Sequence, residues 1–125
     1  MTEGDEQLVL DANRMFYAAF AGKDIEAMDA LWARAVPVAC VHPLGSLLTT
    51  RDEVMTTWEA ILLNPEQPRV VGVTDQVTLV GDLAFTVGRE FVTGAAIVVT
   101  NVFAREDGEW RMAHHHSSHV VLLTE

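Results

Sequence analysis

The sequence has 125 residues, a length typical of one domain, so we predict a single domain over residues 1–125. Half of the residues are apolar, which is enough to form a buried core and argues against a disordered chain. The formal net charge is −10, from 18 acidic and 8 basic residues. This charge would repel nucleic-acid phosphates and anionic lipid headgroups, so neither nucleic acid nor a membrane surface is an expected partner.

The amino-terminal half carries three helical patterns. The first spans about residues 5–21 and ends at Gly22; its apolar residues recur at helical spacing and are Leu8, Ala12, Met15, Phe16, Ala19 and Phe20. Asp24 can cap a second helix that extends to about residue 33. Thr50 and Glu53 have the spacing of a capping box and predict a third helix, which Pro65 ends.

The remaining segments have strand patterns. Residues 36–42 are partly β-branched but contain Pro37, which is typical of a short strand at a sheet edge. After the third helix we expect long strands over about residues 69–80, 83–93, 95–105 and 110–122. Short glycine-containing connections separate them, which predicts an antiparallel meander. Helices followed by a run of long strands predict an α+β domain in which a curved sheet wraps around the helices.

Several common features are absent from the sequence. Cys40 is the single cysteine, so no disulfide can form within the chain, and its apolar neighbours predict a buried, unreactive thiol. The first residues lack the basic start and apolar stretch of a signal peptide, so we expect a cytoplasmic protein. A glycine-rich phosphate loop and a nucleophile elbow are also missing, and we expect no cofactor.

Three stretches of the sequence form a recognisable combination. They are Cys40-Val41-His42-Pro43 followed by the capped helix that contains Trp58, then Thr100-Asn101-Val102-Phe103, then residues 108–117. Together they resemble the SnoaL-like branch of the nuclear transport factor 2-like superfamily, and the order of elements matches over nearly the whole chain. The resemblance implies a cone-shaped, cystatin-like fold, with three helices packed on a strongly curved, mostly antiparallel sheet that encloses a pocket. It does not determine the reaction, because one fold hosts unrelated chemistries.

Ketosteroid isomerase is the member of this superfamily with the clearest comparison. Its general base is an aspartate before a proline, and His42 stands at the corresponding position here. Its second catalytic aspartate, on a late strand, is protonated and donates to the developing oxyanion, and Asn101 matches that position. Its phenolic donor on the first helix corresponds to Phe16, while Tyr17 lies one residue on and about a hundred degrees around the helix. The sequence therefore departs from ketosteroid isomerase at all three positions.

His42 and Asn101 each have a functional and a structural interpretation. His42 can act as a general base, because imidazole titrates near neutral pH and an apolar wall would keep it neutral. Alternatively, its ring holds the turn at Pro43 by a hydrogen bond. Asn101 can donate to a ligand without a shifted pKa, or it can be a buried structural hydrogen-bonding residue. Large apolar residues such as Met15, Trp32 and Trp58 are more often core than ligand-stacking groups.

The consecutive residues His114, His115 and His116 lie on the last predicted strand. Alternation places His115 on the face opposite the other two, so the three cannot bind one ion. Because no acidic or cysteine ligand is adjacent, we expect no metal site.

The residues alone leave the inward face of this strand ambiguous. Trp110 and Met112 share a face with His114 and His116, and burial would favour that face. The resemblance instead favours the face with Ala113, His115 and Ser117 as the pocket lining. In that case a second subunit would cover the convex face, because Trp110, Met112 and residues 120–123 would otherwise form an exposed apolar patch. We therefore expect a homodimer through the convex sheet face.

We predict a cofactor-independent isomerase, hydratase or dehydratase that acts on a small, mainly apolar molecule. His42 would move the proton, and Asn101 and His115 would polarise a carbonyl or hydroxyl group. The predicted substrate-binding residues are Phe16, Tyr17, Trp58, Phe103 and Ser117. The alternative is a non-catalytic module of the same fold, which binds a small ligand or assembles as a dimer.

Overall fold

The computed structural model describes residues 3–121, and within them it has three helices and six strands. In chain order these are α1 (Glu3–Ala21), α2 (Ile25–Leu31), β1 (Ala39–Val41), β2 (Leu47–Leu48), α3 (Arg51–Leu63), β3 (Val71–Val80), β4 (Leu83–Val92), β5 (Ala95–Glu106) and β6 (Glu109–His119). The strands form one sheet in the order β2-β1-β6-β5-β4-β3, which is antiparallel except at the β1–β6 pair. The predicted α+β class is confirmed. None of the helices within this range has the length and hydropathy of a membrane span.

The helix ends follow the predicted capping chemistry. Asp24 Oδ1 accepts a hydrogen bond from the Ala27 backbone N–H at 3.1 Å and begins α2. At the start of α3, Thr50 Oγ1 accepts from the Glu53 N–H, and Glu53 Oε1 accepts from the Thr50 N–H. The predicted capping box is confirmed, so local sequence alone determines where these two helices begin.

The first strand is shorter than predicted and does not lie at the sheet edge. Residues Ala39–Val41 form β1, and Pro37 precedes it. A turn after β1 returns the chain, so that Leu48 of β2 pairs with Cys40 on the outer side. The prediction of an edge strand here is wrong, because β2 occupies the edge. On its other side β1 pairs in parallel with β6, with Cys40 beside His115.

A β-bulge in β6 decides which residues of that strand face the core. Val102 pairs with His114 and Phe103 pairs with Met112, so Ala113 is an additional residue in β6. The bulge shifts the alternation of side chains by one residue. In a regular strand Met112 and His115 would point to opposite faces. Because of the bulge, they point to the same face.

As a result, members of both candidate sets of residues on β6 are buried. Trp110 and Met112 are 6% and 0% exposed, and His115 and Ser117 are each 1% exposed. The inward orientation of His115 is confirmed. The prediction that Trp110 and Met112 lie on the convex face is wrong, because the bulge turns them into the core. Of the predicted apolar end, residues 122–123 lie outside the described residues.

The core lies where the helices pack on the inner sheet face. Its largest fully buried side chains include Phe16, Met28, Trp32, Trp58, Leu62 and Phe103. Along α1 the buried face is rotated from the predicted one, since Val9 and Asn13 are buried while Leu8 and Met15 are exposed. The interpretation of Met15 as a core residue is wrong. The rotation places Asn13 against the sheet, where its side chain forms hydrogen bonds with Thr74 and Asn101.

Candidate functional site

Four rings from different parts of the chain converge on the inner side of the sheet. The imidazole of His42, just after β1, lies edge-to-face against Trp58 of α3, with ring centroids 4.7 Å apart. Its ring centroid lies 5.9 Å from that of His115 in β6. Phe16 of α1 packs against Trp58 at 5.3 Å and against His115 at 4.9 Å. These four predicted site residues therefore form one cluster, which we call the ring cluster.

The register of β1 explains the position of His42. Cys40 pairs with His115, and His42 follows two residues later on the same face of the chain. The turn after His42 is closed by its backbone carbonyl, which accepts a hydrogen bond from the Gly45 N–H at 2.8 Å, so the ring is not needed for that purpose. The ring Nε2 lies 3.5 Å from Cys40 Sγ. Burial raises the pKa of the Cys40 thiol to about 12, which agrees with the predicted unreactive cysteine.

Asn101 is bonded to protein groups on both sides of its amide. Its Oδ1 lies 2.6 Å from His115 Nδ1, and its Nδ2 donates to Asn13 Oδ1 at 2.9 Å. Asn13 Nδ2 donates in turn to Thr74 Oγ1 at 2.8 Å. This arrangement is the structural alternative considered for Asn101. Its role as a donor to a ligand stays a prediction.

The hydrogen-bond chain continues on the other side of His115. Ser117 Oγ lies 2.8 Å from His115 Nε2 and 3.2 Å from Glu90 Oε1. The Tyr17 hydroxyl donates to Glu90 Oε2 at 2.7 Å. Gly72 leaves room for the Tyr17 ring, because a Cβ at that position would lie 2.4 Å from it. Of these two predicted site residues, Ser117 is thus bonded directly to His115, and Tyr17 is joined to it through the buried Glu90 and Ser117.

Glu90 was not among the predicted site residues. Phe85, Val87 and Phe91 alternate on one side of β4, and their hydrophobicity would turn that side inward. The structure does the reverse: Glu90 is 3% exposed and Phe91 is 45% exposed. The sequence feature that could have indicated this is that the side of β4 with Glu90 otherwise carries small residues and Thr86, which is also buried. Small residues leave space for helices to approach a sheet.

Burial determines the protonation of the cluster. It lowers the pKa of His42 to about 4, and, together with the nearby His42, it lowers the pKa of His115 well below the usual range. Both imidazoles are therefore neutral at neutral pH. For His42 the predicted neutral form is supported, but it titrates near pH 4 and not near neutrality. Burial also raises the pKa of the Glu90 carboxyl, and burial followed by the Glu90 charge raises the pKa of the Tyr17 phenol.

The other predicted features lie outside the ring cluster. Phe103 is fully buried two residues beyond Asn101, but within residues 3–121 the ring contacts of the cluster do not include it. A groove of about 600 Å³ lies between α1, α2 and the β5–β6 turn, and Leu8 and Met15 contribute to its lining. This groove does not touch His42, so the predicted enclosed pocket beside His42 and Asn101 stays a prediction. The part of the chain that the structure describes holds no group of three or more His, Cys, Asp or Glu residues suited to a metal ion.

Comparison with known proteins identifies the family. Residues 9–122 match the family model described as a SnoaL-like domain. The chain belongs to the SnoaL-like domain family. A Caulobacter vibrioides protein with a cystatin-like fold has a TM-score of 0.79 at 18% identity, covering 92% of this chain and 89% of that one, which shows the fold alone. The predicted family and the cone-shaped, cystatin-like fold are both confirmed.

Three relatives of this SnoaL-like domain are similar in sequence as well. A Streptomyces avermitilis structure, described as a candidate dehydratase from the NTF2-like family, is 30% identical with a TM-score of 0.85, covering 96% of this chain and 99% of that one. A candidate calcium/calmodulin-dependent protein kinase type II association domain from Thiobacillus denitrificans is 33% identical with a TM-score of 0.78, covering 88% and 93%. The F-box protein SKIP8 of Arabidopsis thaliana is 31% identical over 120 residues, covering 94% of this chain and 51% of that protein. The chain thus spans about half the length of this curated relative.

Proposed function

We propose that this SnoaL-like domain binds a small, mainly apolar molecule beside His42 and catalyses a cofactor-independent proton transfer on it, as an isomerase, hydratase or dehydratase. The observation that carries this proposal is the contact between His42 and Trp58. Trp58 is fully buried, and its indole N–H has no hydrogen-bond partner within residues 3–121. A buried donor without a partner costs free energy, and a carbonyl or hydroxyl oxygen of a ligand would satisfy it.

The roles of the residues follow from their protonation and position. His42 accepts a proton from the carbon next to the ligand carbonyl, which its neutral form can do above pH about 4. The Trp58 indole donates to the oxygen on which negative charge develops. Asn101 holds His115 in one orientation at the edge of the site, and Phe16 supplies an apolar wall.

The Streptomyces avermitilis relative supports a lyase reaction. That protein is described as a candidate dehydratase, and its similarity extends over nearly the full length of both chains. Dehydration requires a base for the carbon-bound proton and an acid for the departing hydroxyl group. Imidazoles from His42 and His115, with ring centroids 5.9 Å apart, are groups that can serve these two purposes.

A non-catalytic assembly module is the second candidate function, and the outer sheet face favours it. Phe91, Val71 and Val98 are exposed on this face, and Phe91 pairs directly with Val71. The Thiobacillus denitrificans relative is described as a candidate association domain. In this alternative, two copies of the chain pair through their outer faces as a homodimer and cover the apolar patch.

The three tryptophans allow a test with internal controls. The buried indole N–H groups of Trp32, Trp58 and Trp110 all lack a partner in the described residues, and Trp58 is the one in contact with His42. A panel of small cyclic ketones, enones and hydroxy compounds should shift the Trp58 indole resonance in 1H–15N NMR spectra and leave the other two in place. Turnover that is lost in His42→Gln supports the enzyme, and binding without turnover supports the binding module. If no compound shifts the Trp58 resonance, the ligand-binding proposal is wrong.

A further inference from the structure

The hydrogen bonds around His115 fix the position of its proton. Asn101 Nδ2 donates to Asn13 Oδ1, so Asn101 Oδ1 faces His115 Nδ1 as an acceptor, at 2.6 Å. Nδ1 must therefore carry a hydrogen. In a neutral imidazole Nε2 is then an acceptor, and the Ser117 hydroxyl, 2.8 Å away, is its donor.

Ser117 cannot satisfy both of its neighbours with one hydrogen. If its hydroxyl donates to His115 Nε2, then Ser117 Oγ and Glu90 Oε1 are two oxygens 3.2 Å apart that need a hydrogen between them. If the hydroxyl donates to Glu90 instead, His115 Nε2 must carry a hydrogen of its own. In either case Glu90, Ser117 and His115 hold one proton more than a carboxylate and a neutral imidazole would hold.

The surroundings place this additional proton on Glu90. Glu90 and His115 are 3% and 1% exposed, so a carboxylate and an imidazolium would both be buried charges. The titratable groups in contact with or close to this pair from other elements are Tyr17 from α1, Cys40 from β1 and His42 after β1, and on β6 itself His114 and His116 also act on His115 and lower its pKa. Tyr17, Cys40 and His42 carry no positive charge at neutral pH that could stabilise a carboxylate. A protonated Glu90 also satisfies both of its oxygens, since Tyr17 donates to Oε2 and Oε1 donates to the serine.

We propose that Glu90 is the buried proton donor to His115, acting through the hydroxyl of Ser117. The proposal rests on the proposed function for its use in catalysis. When negative charge develops on a ligand beside His115, the Glu90 Oε1 proton passes to Ser117 Oγ while the hydroxyl hydrogen of Ser117 passes to His115 Nε2. Glu90 becomes a carboxylate and His115 an imidazolium, so atoms and charge balance without solvent. Because Glu90 acts through two other side chains, it is a positioning residue.

Infrared spectroscopy tests the resting state without any ligand. The difference spectrum between the wild type and Glu90→Gln at pH 7 should contain one carboxylic-acid C=O stretch that the variant lacks. Glu106→Gln is the matched control: Glu106 is also buried, but it accepts backbone N–H bonds from Arg34, Ala35 and Val36 and should be ionised. Its difference spectrum should contain a carboxylate band instead.

NMR of the wild type detects directly whether Glu90 carries the additional proton, and it does not require a variant that folds. The Glu90 side-chain carbon should have the shift of a carboxylic acid at pH 7, and His115 should carry hydrogen on Nδ1 alone. A carboxylate at Glu90 would overturn the proposal, whether His115 then carries two hydrogens or one on Nε2.

A catalytic readout separates this proposal from the proposed function. Glutamine at position 90 can still donate to Ser117 but cannot release a proton, so a compound that shifts the Trp58 resonance should bind Glu90→Gln equally well while kcat falls by about tenfold or more. An unchanged kcat would overturn the donor role. Absence of any bound compound would instead refute the proposed function and leave the spectroscopic result in place.

Discussion

Replacing Glu90 with glutamine should make the domain more stable at neutral pH and leave its stability near pH 4.5 little changed. Burial raises the pKa of Glu90 above its ordinary value of 4.5. The unfolded chain therefore releases this proton at lower pH than the folded chain does, and the wild type loses stability as the pH rises above 4.5. The loss is up to about 1.4 kcal/mol per pH unit until the folded-state pKa is reached. Glutamine mimics the protonated acid and removes this dependence.

Urea denaturation at several values between pH 4.5 and 8 measures the effect. The free energy of unfolding of Glu90→Gln minus that of the wild type should grow with pH. His42 and His115 are present in both proteins, so their own pH dependence cancels in this difference. Curves that stay parallel over the whole range would show that Glu90 is ionised in the folded protein and that its pKa is not raised.

Glu106→Gln is a control for which the expected change of stability with pH has the opposite sign. Burial of Glu106 acts to raise its pKa, but the backbone N–H donors of Arg34, Ala35 and Val36 outweigh burial and lower it. A carboxylate with a lowered pKa stabilises the folded state above its unfolded pKa, and this contribution is lost as the pH falls. The advantage of the wild type over Glu106→Gln should therefore shrink towards low pH.

Three further predictions concern other parts of the domain. Burial holds the pKa of His42 near 4, against an ordinary value of 6.5, so His42 should contribute a loss of up to about 3 kcal/mol as the pH falls from 6.5 towards 4. His115 titrates in both proteins, so denaturation of His42→Gln should show a loss smaller than that of the wild type by this amount, and an equal loss in both would contradict the assignment. Gly72→Ala should lower stability by about 1 to 3 kcal/mol in thermal melts, because its Cβ would overlap the Tyr17 ring, and an unchanged melting temperature would show that the ring moves aside freely. If a homodimer forms through the outer face, Phe91→Lys should convert it to a monomer in sedimentation experiments. Leu63→Lys, at an exposed site on α3, should leave the dimer intact, and a dimer that survives Phe91→Lys would exclude this interface.

The parts of the site that the sequence predicted are those that depend on short-range patterns. His42 and Asn101 were found from their places within recognisable stretches, and the structure joins both to His115, by a ring contact and by a hydrogen bond. Glu90 and Asn13 were not found, because neither lies on the side of its strand or helix that the apolar pattern predicts to be buried. Their hydrogen-bond partners lie 27 to 88 residues away along the chain, and the periodicity of a single helix or strand gives no information about such long-range contacts.

The helices, the long strands and the family could be predicted from local patterns, because caps, turns and periodicity are properties of neighbouring residues. Which faces are buried depends on packing between elements. The bulge at Ala113 brings Trp110 and His115 to the same side of β6, although strict alternation would separate them. Glu90 also faces inward, because its hydrogen bonds with Tyr17 and Ser117 offset the cost of burying its carboxyl group.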